Sequence, residues 1–169
     1  MKKKNRLERV ISRTCFLPKG LRIWIRSKIF GYVVKMVNTA GIRFEHIDHE
    51  NIQLHIKNRT KMQNHIGGVH AAATALLGET ASGFIVGMHV SDKCLPLLKT
   101  MRLNYVRRAS GDMRANAQLT QEQIDLIRNT EKGELTVKVI ITDETGANPV
   151  EAEYDWAWVP KQRSGKQPE

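Results

Sequence analysis

Residues 64–87 read NHIGGVHAAATALLGETASGFIVG, and this stretch decides the fold. It opens on polar side chains around a Gly-Gly pair and continues as an Ala/Leu/Gly-rich segment that contains one carboxylate, Glu79. A helix that is apolar on all sides belongs in a protein interior, so the pattern predicts a buried central helix over about residues 68–86. A buried carboxylate is costly unless it is paired or used in chemistry, which marks Glu79 as a candidate functional residue.

The segments on both sides of this helix alternate apolar and polar residues, the pattern of half-buried strands. Two such segments precede the helix, and four follow it, near residues 42–47, 52–57, 101–105, 113–119, 135–141 and 150–158. A short helix starting at Thr120 with capping-box spacing interrupts the later ones. We expect an α+β fold in which one antiparallel sheet of about six strands curls around the central helix. One face and one edge of such a sheet remain exposed in a single chain, and we expect a dimer to bury them.

The basic charge of the chain is confined to its N-terminus. Residues 1–38 contain eleven Lys and Arg and one acid, Glu8, which accounts for the whole net charge of +10 because the remainder is neutral. Apolar side chains recur there at helical spacing, namely Leu21, Ile25, Ile29, Tyr32, Val33 and Met36. They predict a basic amphipathic helix over residues 18–38. It either packs on its own domain with a solvated basic face, which we favour, or lies peripherally on a membrane.

Composition also sets the expected organisation and compartment. We divide the chain into the basic N-terminal segment (1–38), a central-helix domain (39–160) and a polar tail (161–169). No run of 18 apolar residues occurs, so we expect no membrane-spanning helix. The two cysteines, Cys15 and Cys94, form no disulfide framework, which favours a cytoplasmic protein. An Arg-rich mitochondrial presequence is the alternative for the N-terminus.

Asn64, His70 and Glu79 are the candidate catalytic residues of the central segment. The nine residues from His70 to Glu79 turn a helix through a net of about 180° and rise ~13 Å, so their side chains cannot meet within one chain. Two antiparallel copies of the helix bring Glu79 of one chain towards Asn64 and His70 of the other. The spacing therefore predicts two equivalent sites at a dimer interface.

This arrangement suits acyl transfer. Residues 69–72 lie at the start of the helix, where free N–H groups stabilise an oxyanion. Glu79 can activate water as a base or attack the carbonyl directly. Asn64 can hold the water or the carbonyl, and His70 can polarise or orient it. The pair Gly67–Gly68 allows a tight turn and a close approach of the backbone to a ligand.

Structural roles are the alternatives for the same side chains. Glu79 can be a structural carboxylate that bonds to a hydroxyl such as that of Thr80 or Ser82 of a partner chain. His70 can simply cap its helix, and a Gly-Gly pair occurs at many junctions between a loop and a helix.

At these residues the chain resembles the hotdog-fold thioesterase superfamily, in particular the small acyl-CoA thioesterases of the phenylacetate-degradation type. That family has an Asn, a His-Gly-Gly six residues later and an Asp or Glu nine beyond the His, which Asn64, His70 and Glu79 match. The chain reads His-Ala-Ala at this point, so Ala71 occupies the position whose N–H forms the oxyanion hole in relatives. With its added basic helix, the chain looks more like a member of an uncharacterised branch of the superfamily.

The resemblance implies a hotdog fold and a homodimer or a dimer of dimers (a tetramer). It also implies hydrolysis of a fatty or aryl thioester of coenzyme A, and we expect no cofactor. A non-catalytic acyl-CoA binding protein of the same fold is the alternative. Four arginines can meet the CoA phosphates or can be solvated strand residues, namely Arg102, Arg107, Arg108 and Arg114. We expect no nucleic-acid partner, since the domain beyond residue 38 is neutral, and no metal, since no Cys/His spacing resembles a zinc site.

Overall fold

The computed structural model describes residues 4–161 of the chain. Three helices come first, α1 (Arg6–Ser12), α2 (Lys19–Val33) and α3 (Lys35–Ala40). The strands β1 (Arg43–Ile47) and β2 (Asn51–Ile56) lead to the long helix α4 (Ala71–His89). The remaining elements are β3 (Cys94–Tyr105), β4 (Met113–Gln118), α5 (Gln121–Asn129), β5 (Gly133–Asp143) and β6 (Val150–Pro160). The predicted capping box of α5 is present, with reciprocal hydrogen bonds between Thr120 and Gln123.

The strands form one antiparallel sheet in the order β1-β2-β4-β5-β6-β3. The inward-facing side chains of the strands are buried around α4, on which Leu77, Ala81 and Ile85 are fully enclosed. Their alternation with exposed residues along β4, β5 and β6 is the period of two seen in the sequence. A curled six-stranded sheet around a long helix is the hotdog fold, which confirms the predicted fold class.

Small residues bring α4 close to β6. A Cβ added at Gly78 would overlap the hydroxyl of Tyr154, and one added at Gly83 would overlap the ring of Trp156. The two aromatic side chains also bond to the helix, since Tyr154 Oη donates to the Ala75 carbonyl at 3.1 Å and Trp156 Nε1 donates to a serine hydroxyl of α4 at 3.0 Å. These contacts fix the helix along the sheet and therefore fix where its N-terminus and Glu79 lie.

The N-terminal segment is part of the same domain. α1 has a capping box between Asn5 and Glu8, and Asn5 Nδ2 donates to the carbonyls of Gly87, Met88 and Val90 at the end of α4. Apolar side chains from all three early helices join the common core (Ile11, Phe30, Val37 and Ala40). The predicted boundary at residue 38 falls inside α3, so the basic segment and the sheet share one core.

The predicted helix over residues 18–38 is corrected in two ways. It is two helices, because Val34 has extended backbone angles, and the inward side is the opposite of the one predicted. Arg26 is buried, with Nε donating to Thr14 Oγ1 at 2.8 Å and Nη2 donating to the Ile11 carbonyl at 3.0 Å. Phe30 packs beside it against Phe44 and Phe84, and the apolar stripe predicted to face the domain lies outside.

Three other predictions concern a membrane-spanning helix, the cysteines and the C-terminal tail. α4 is long and apolar enough to cross a membrane by length and composition, but its place inside the sheet marks it as a core helix. Both cysteines are free thiols, Cys15 exposed and Cys94 buried. Lys161 still pairs through its N–H with the Lys93 carbonyl, and the rest of the predicted polar tail lies outside the described residues.

Candidate active site

The loop before α4 is shaped by Asn64. Its Oδ1 accepts the N–H groups of Ile66 and Gly68, both at 3.1 Å, and its own N–H donates to the Gly68 carbonyl at 2.8 Å. Gly67 lies between them at φ +78°, a conformation that glycine adopts without strain. The amide oxygen is thus occupied, whereas within residues 4–161 no acceptor engages Asn64 Nδ2. Asn64 therefore offers a half-buried N–H donor to a ligand.

His70 caps α4, as the structural alternative proposed. Its Nδ1 accepts the N–H of Ala72 at 3.1 Å, and its backbone has the extended angles of an N-cap residue. An acceptor at Nδ1 places the proton of the neutral ring on Nε2, which faces outwards on an exposed side chain. His70 therefore orders the helix start and still presents one N–H donor.

Ala71, the first residue of α4, provides a free backbone donor. Its N–H has no acceptor among the described residues, and it lies at the positive end of a 19-residue helix. The carbonyl of the same residue is held by Tyr105, whose hydroxyl donates to it at 2.7 Å. Sequence reasoning missed Tyr105, because the contact joins residues 34 positions apart and nothing but the end of a strand marked it.

A cavity of about 200 Å³ lies against this helix start. Its walls include most of the predicted binding residues together with two that were not predicted, namely Asn64, Gly68, Ala71, Thr74, Tyr105, Arg107 and Arg108. Sites for small molecules usually enclose about 300–1,000 Å³, so this cavity is smaller than most ligand sites.

The predicted arginines separate into two groups. Arg107 and Arg108 lie at the cavity, and Arg108 Nη2 donates to the Ile66 carbonyl at 3.0 Å. Arg102 lies elsewhere, in a bidentate pair with Asp155 at 2.8 and 3.0 Å, on a larger concavity of the outer sheet face. Arg114 is likewise paired, to Glu45 at 3.3 Å. Within one chain, Arg102 therefore does not line the cavity at the helix start, where it was predicted to bind.

Glu79 lies half-buried near the middle of α4, on a stripe with Ala72 and Leu76 that the chain's own sheet leaves incompletely covered. Thr80 Oγ1 is 3.4 Å from its carboxylate, but the same hydroxyl is 2.7 Å from the Leu76 carbonyl. A hydroxyl has one proton, and the shorter contact takes it. Burial therefore outweighs the weak contact with Thr80, and it raises the pKa of Glu79.

Glu79 also stands apart from the helix start. Within the described residues no hydrogen bond or ion pair joins it to Asn64 or His70, as the spacing predicted. The Glu79 carboxylate therefore has no strong local donor and lies on the incompletely covered side of the core helix.

The edge strand β3 provides a surface for such an interface. It is 12 residues long, and within residues 4–161 it pairs only with β6. Four of its large apolar side chains are exposed (Leu95, Leu97, Met101 and Tyr105). A long apolar edge of this kind is open to pairing with a further strand.

One set of side chains has the composition of a metal site. The ligand atoms of Glu8, His49 and His89 lie within 4.8 Å of one another. Arg128 occupies this cluster, because its Nη2 binds Glu8 at 2.9 Å and its Nε donates to His89 Nδ1 at 3.1 Å. The other nitrogen of His89 donates to the His49 carbonyl at 2.7 Å. A cation already fills the cluster, which does not suit a metal ion; the expected absence of metal stays a prediction.

Comparison with known proteins places this geometry among related folds. Residues 22–159 match the family described as a domain of unknown function, DUF4442. No curated protein matches the chain. A solved structure from Pseudomonas aeruginosa, described as a protein of unknown function and probable thioesterase, is 25% identical with a TM-score of 0.73, covering 86% of this chain and 97% of that one.

Two thioesterase structures of lower identity share the fold. A Staphylococcus aureus thioesterase mutant is 19% identical, with a TM-score of 0.64 and coverage of 75% of this chain and 99% of that one. A Haemophilus influenzae thioesterase is 13% identical, also with a TM-score of 0.64, and the coverage is 78% and 87%. The predicted resemblance to hotdog-fold thioesterases is confirmed.

Proposed function

Because the chain belongs to DUF4442, a family of unknown function, its activity must be inferred from its own site, and we propose that it hydrolyses acyl thioesters of coenzyme A. The proposal rests on one observation above all. Two unpaired N–H donors, Ala71 N and Asn64 Nδ2, line one cavity at the positive end of a long helix. Donors fixed in this way stabilise the negative charge that develops on a carbonyl oxygen during acyl transfer.

The base in this proposal is Glu79 of a second chain. Two copies of α4 that lie antiparallel bring Glu79 of one protomer to the helix start of its partner, where the cavity is incomplete in one chain. The ionised carboxylate takes a proton from water as the water oxygen bonds to the thioester carbon. The C–S bond then breaks, the CoA thiolate takes the proton from the Glu79 carboxyl and leaves as the thiol, and the carboxylic acid product is released, which restores the ionised carboxylate. A carboxylate with a raised pKa is a stronger base for this transfer.

In this proposal the protein recognises its substrate through the CoA phosphate groups. Arg107 and Arg108 place two guanidinium groups at the cavity mouth, and neither forms an ion pair with a carboxylate among the described residues. Guanidinium groups bind phosphate oxygens through charge-assisted hydrogen bonds. The acyl chain then runs from the cavity towards the partner, along the half-open stripe of α4.

A hydrolysis screen tests the activity. The purified protein is given CoA thioesters from acetyl to palmitoyl, together with phenylacetyl-CoA, and free thiol is measured. Turnover should occur with some of these and should fall about a thousandfold or more in Glu79→Ala. The matched control Glu122→Ala, an exposed glutamate in the first turn of α5, should retain turnover. Acyl-CoA binding without any turnover would instead support the non-catalytic alternative.

A second arm tests the phosphate contact. Arg107→Ala/Arg108→Ala should raise KM for an acyl-CoA about tenfold and leave kcat/KM for the matching acyl-pantetheine, which lacks the nucleotide phosphates, nearly unchanged. Arg102→Ala, which removes a guanidinium already paired with Asp155, is the control and should not distinguish the two substrates.

A further inference from the structure

The outward face of α2 carries an unusual set of side chains. Leu21, Trp24, Lys28 and Tyr32 follow one another at steps of three and four, so they lie on one side of the helix, and all four are exposed. Trp24 is 59% exposed and Tyr32 is 86% exposed. Half of the exposed large apolar residues of the described chain lie in residues 16–36, and we call these the N-terminal surface: Phe16, Leu21, Trp24, Ile29, Tyr32, Val33, Val34 and Met36.

The orientation of α2 is fixed by its opposite side, so this exposure follows from the fold. Arg26 is held by Thr14 and the Ile11 carbonyl, and Phe30 fills the core beside Phe44. Turning the apolar stripe inwards would break both hydrogen bonds of Arg26 and bring the buried ring of Phe30 to the surface. The domain therefore presents apolar side chains to its surroundings at a stable position. Contiguous apolar surface of this kind marks an interaction site.

The charged residues within positions 9–44, which include the N-terminal surface, are all basic. No Asp or Glu occurs between Glu8 and Glu45. Lys19, Lys28 and Lys35 are exposed, and none of them forms an ion pair with a described residue. Lysine stems can lie along apolar surface while their ammonium groups reach outwards to anionic groups. A partner that complements the N-terminal surface therefore has an apolar interior and carries negative charges at its boundary.

The position of α2 in the fold argues against the second copy of the chain as its occupant. α2 packs beside β1, which forms one edge of the sheet, whereas the apolar edge suited to dimer formation is β3 at the opposite end. Two copies of the N-terminal surface placed face to face would also bring their unpaired lysines together.

We propose that the N-terminal surface docks on an anionic phospholipid bilayer. Trp24 and Tyr32 sit at the headgroup level, where amphipathic rings concentrate, and Leu21 and Ile29 reach the acyl chains. The lysines pair with lipid phosphates and hold the helix in the plane of the membrane surface. This binding is peripheral and independent of the hydrolysis proposed above, so each claim stands or falls alone.

Vesicle flotation of the full-length protein tests the docking. The protein should float with vesicles of equal parts phosphatidylglycerol and phosphatidylcholine and bind phosphatidylcholine alone about tenfold or more weakly. Trp24→Ser/Tyr32→Ser and Lys28→Glu/Lys35→Glu should each weaken binding by about tenfold or more. The matched control is Lys138→Glu/Ile140→Ser on the exposed face of β5, which should bind as the wild type does.

Tryptophan fluorescence gives a second readout that locates the contact. Trp156 and Trp158 are buried, so Trp24 is the tryptophan that can report a change of surroundings. Anionic vesicles should shift its emission to shorter wavelength, and Trp24→Phe should bind but show no shift. Three results would overturn the proposal: no binding by the wild type, equal binding by the surface variants, or lipid-free self-association that Trp24→Ser/Tyr32→Ser abolishes.

Discussion

The hydroxyl of Tyr105, at the end of β3, donates a 2.7 Å hydrogen bond to the carbonyl of Ala71, the first residue of α4. This bond ties the strand that forms the sheet edge to the peptide that begins the central helix. The helix start is therefore held from two sides, by Tyr105 at the carbonyl and by the His70 cap at the following N–H. A donor aimed at a developing oxyanion needs this kind of fixed position.

Removing the hydroxyl in Tyr105→Phe should lower kcat for a CoA thioester about tenfold while KM changes little. The hydrogen bond orients a donor that matters most in the transition state, so its loss affects turnover more than binding. Steady-state kinetics on the best substrate of the screen measures both constants. A rise in KM at constant kcat would show that Tyr105 serves substrate binding instead.

Ala71→Pro removes the proposed oxyanion donor without breaking the helix. Proline is favoured at the first helical position, and the extended backbone of His70 (φ −61°, ψ 141°) is compatible with a following proline. We expect kcat to fall about a hundredfold to a thousandfold with the Tm nearly unchanged. Ala71→Gly, which retains the N–H, is the matched control and should stay within about tenfold of the wild type. Equal turnover by the proline variant would remove Ala71 N from the mechanism.

Glu79→Gln should raise stability at neutral pH while it abolishes turnover. Burial raises the pKa of Glu79, so the folded state favours the protonated carboxyl. The protonated carboxyl therefore contributes to stability below the usual pKa of a glutamate, and this contribution is lost as the pH rises through the raised pKa of the folded state. At neutral pH the amide therefore avoids a buried charge. We expect a Tm gain of about 2–4 °C. The gain should vanish near pH 4, and a loss of Tm at pH 7 would contradict the assignment.

Acid should destabilise the protein through His89. Burial lowers the pKa of this imidazole to about 4, and its ring is fully engaged by Arg128 and the His49 carbonyl. Because the unfolded chain binds the proton more readily, stability from the neutral ring is present above about pH 6.5 and is lost as the pH falls towards 4. The loss amounts to about 3 kcal/mol.

Denaturant unfolding at several pH values measures this loss. His89→Gln should flatten the pH dependence between pH 6.5 and 4, whereas His46→Gln, which changes an exposed histidine, should leave it as in the wild type. An identical slope in both variants would show that another group is responsible.

Local patterns were enough to predict the order of the strands and the central helix, although α4 begins three residues later than predicted and β3 begins seven residues earlier. The period of two along β4, β5 and β6 and the apolar composition of α4 reflect burial on one face or on all sides, which a sequence displays directly. The capping box at Thr120 is local too, since both partners lie within four residues. The cap formed by His70, which was the alternative interpretation of that residue, depends on the same short-range chemistry.

Features that depend on partners distant in the sequence could not be predicted from local patterns. Arg26 is buried because Thr14 and the Ile11 carbonyl, more than ten residues earlier, satisfy its guanidinium, and this reverses the side that α2 presents to the core. The Tyr105 contact with Ala71 spans 34 residues, and Arg102 is removed from the site by Asp155 on the neighbouring strand. Long-range polar pairs of this kind leave no periodic signal.

The central claim is that Asn64 of one protomer and Glu79 of its partner form one site. Asn64→Ala and Glu79→Gln should each inactivate the homodimer. Chains carrying the two substitutions are co-expressed with different tags, and the mixed dimer is isolated by tandem purification. That dimer contains one intact site, so we predict about half of the wild-type kcat per dimer. A mixed dimer as inactive as its two parents would contradict the shared site, because residues that work within one chain cannot complement each other.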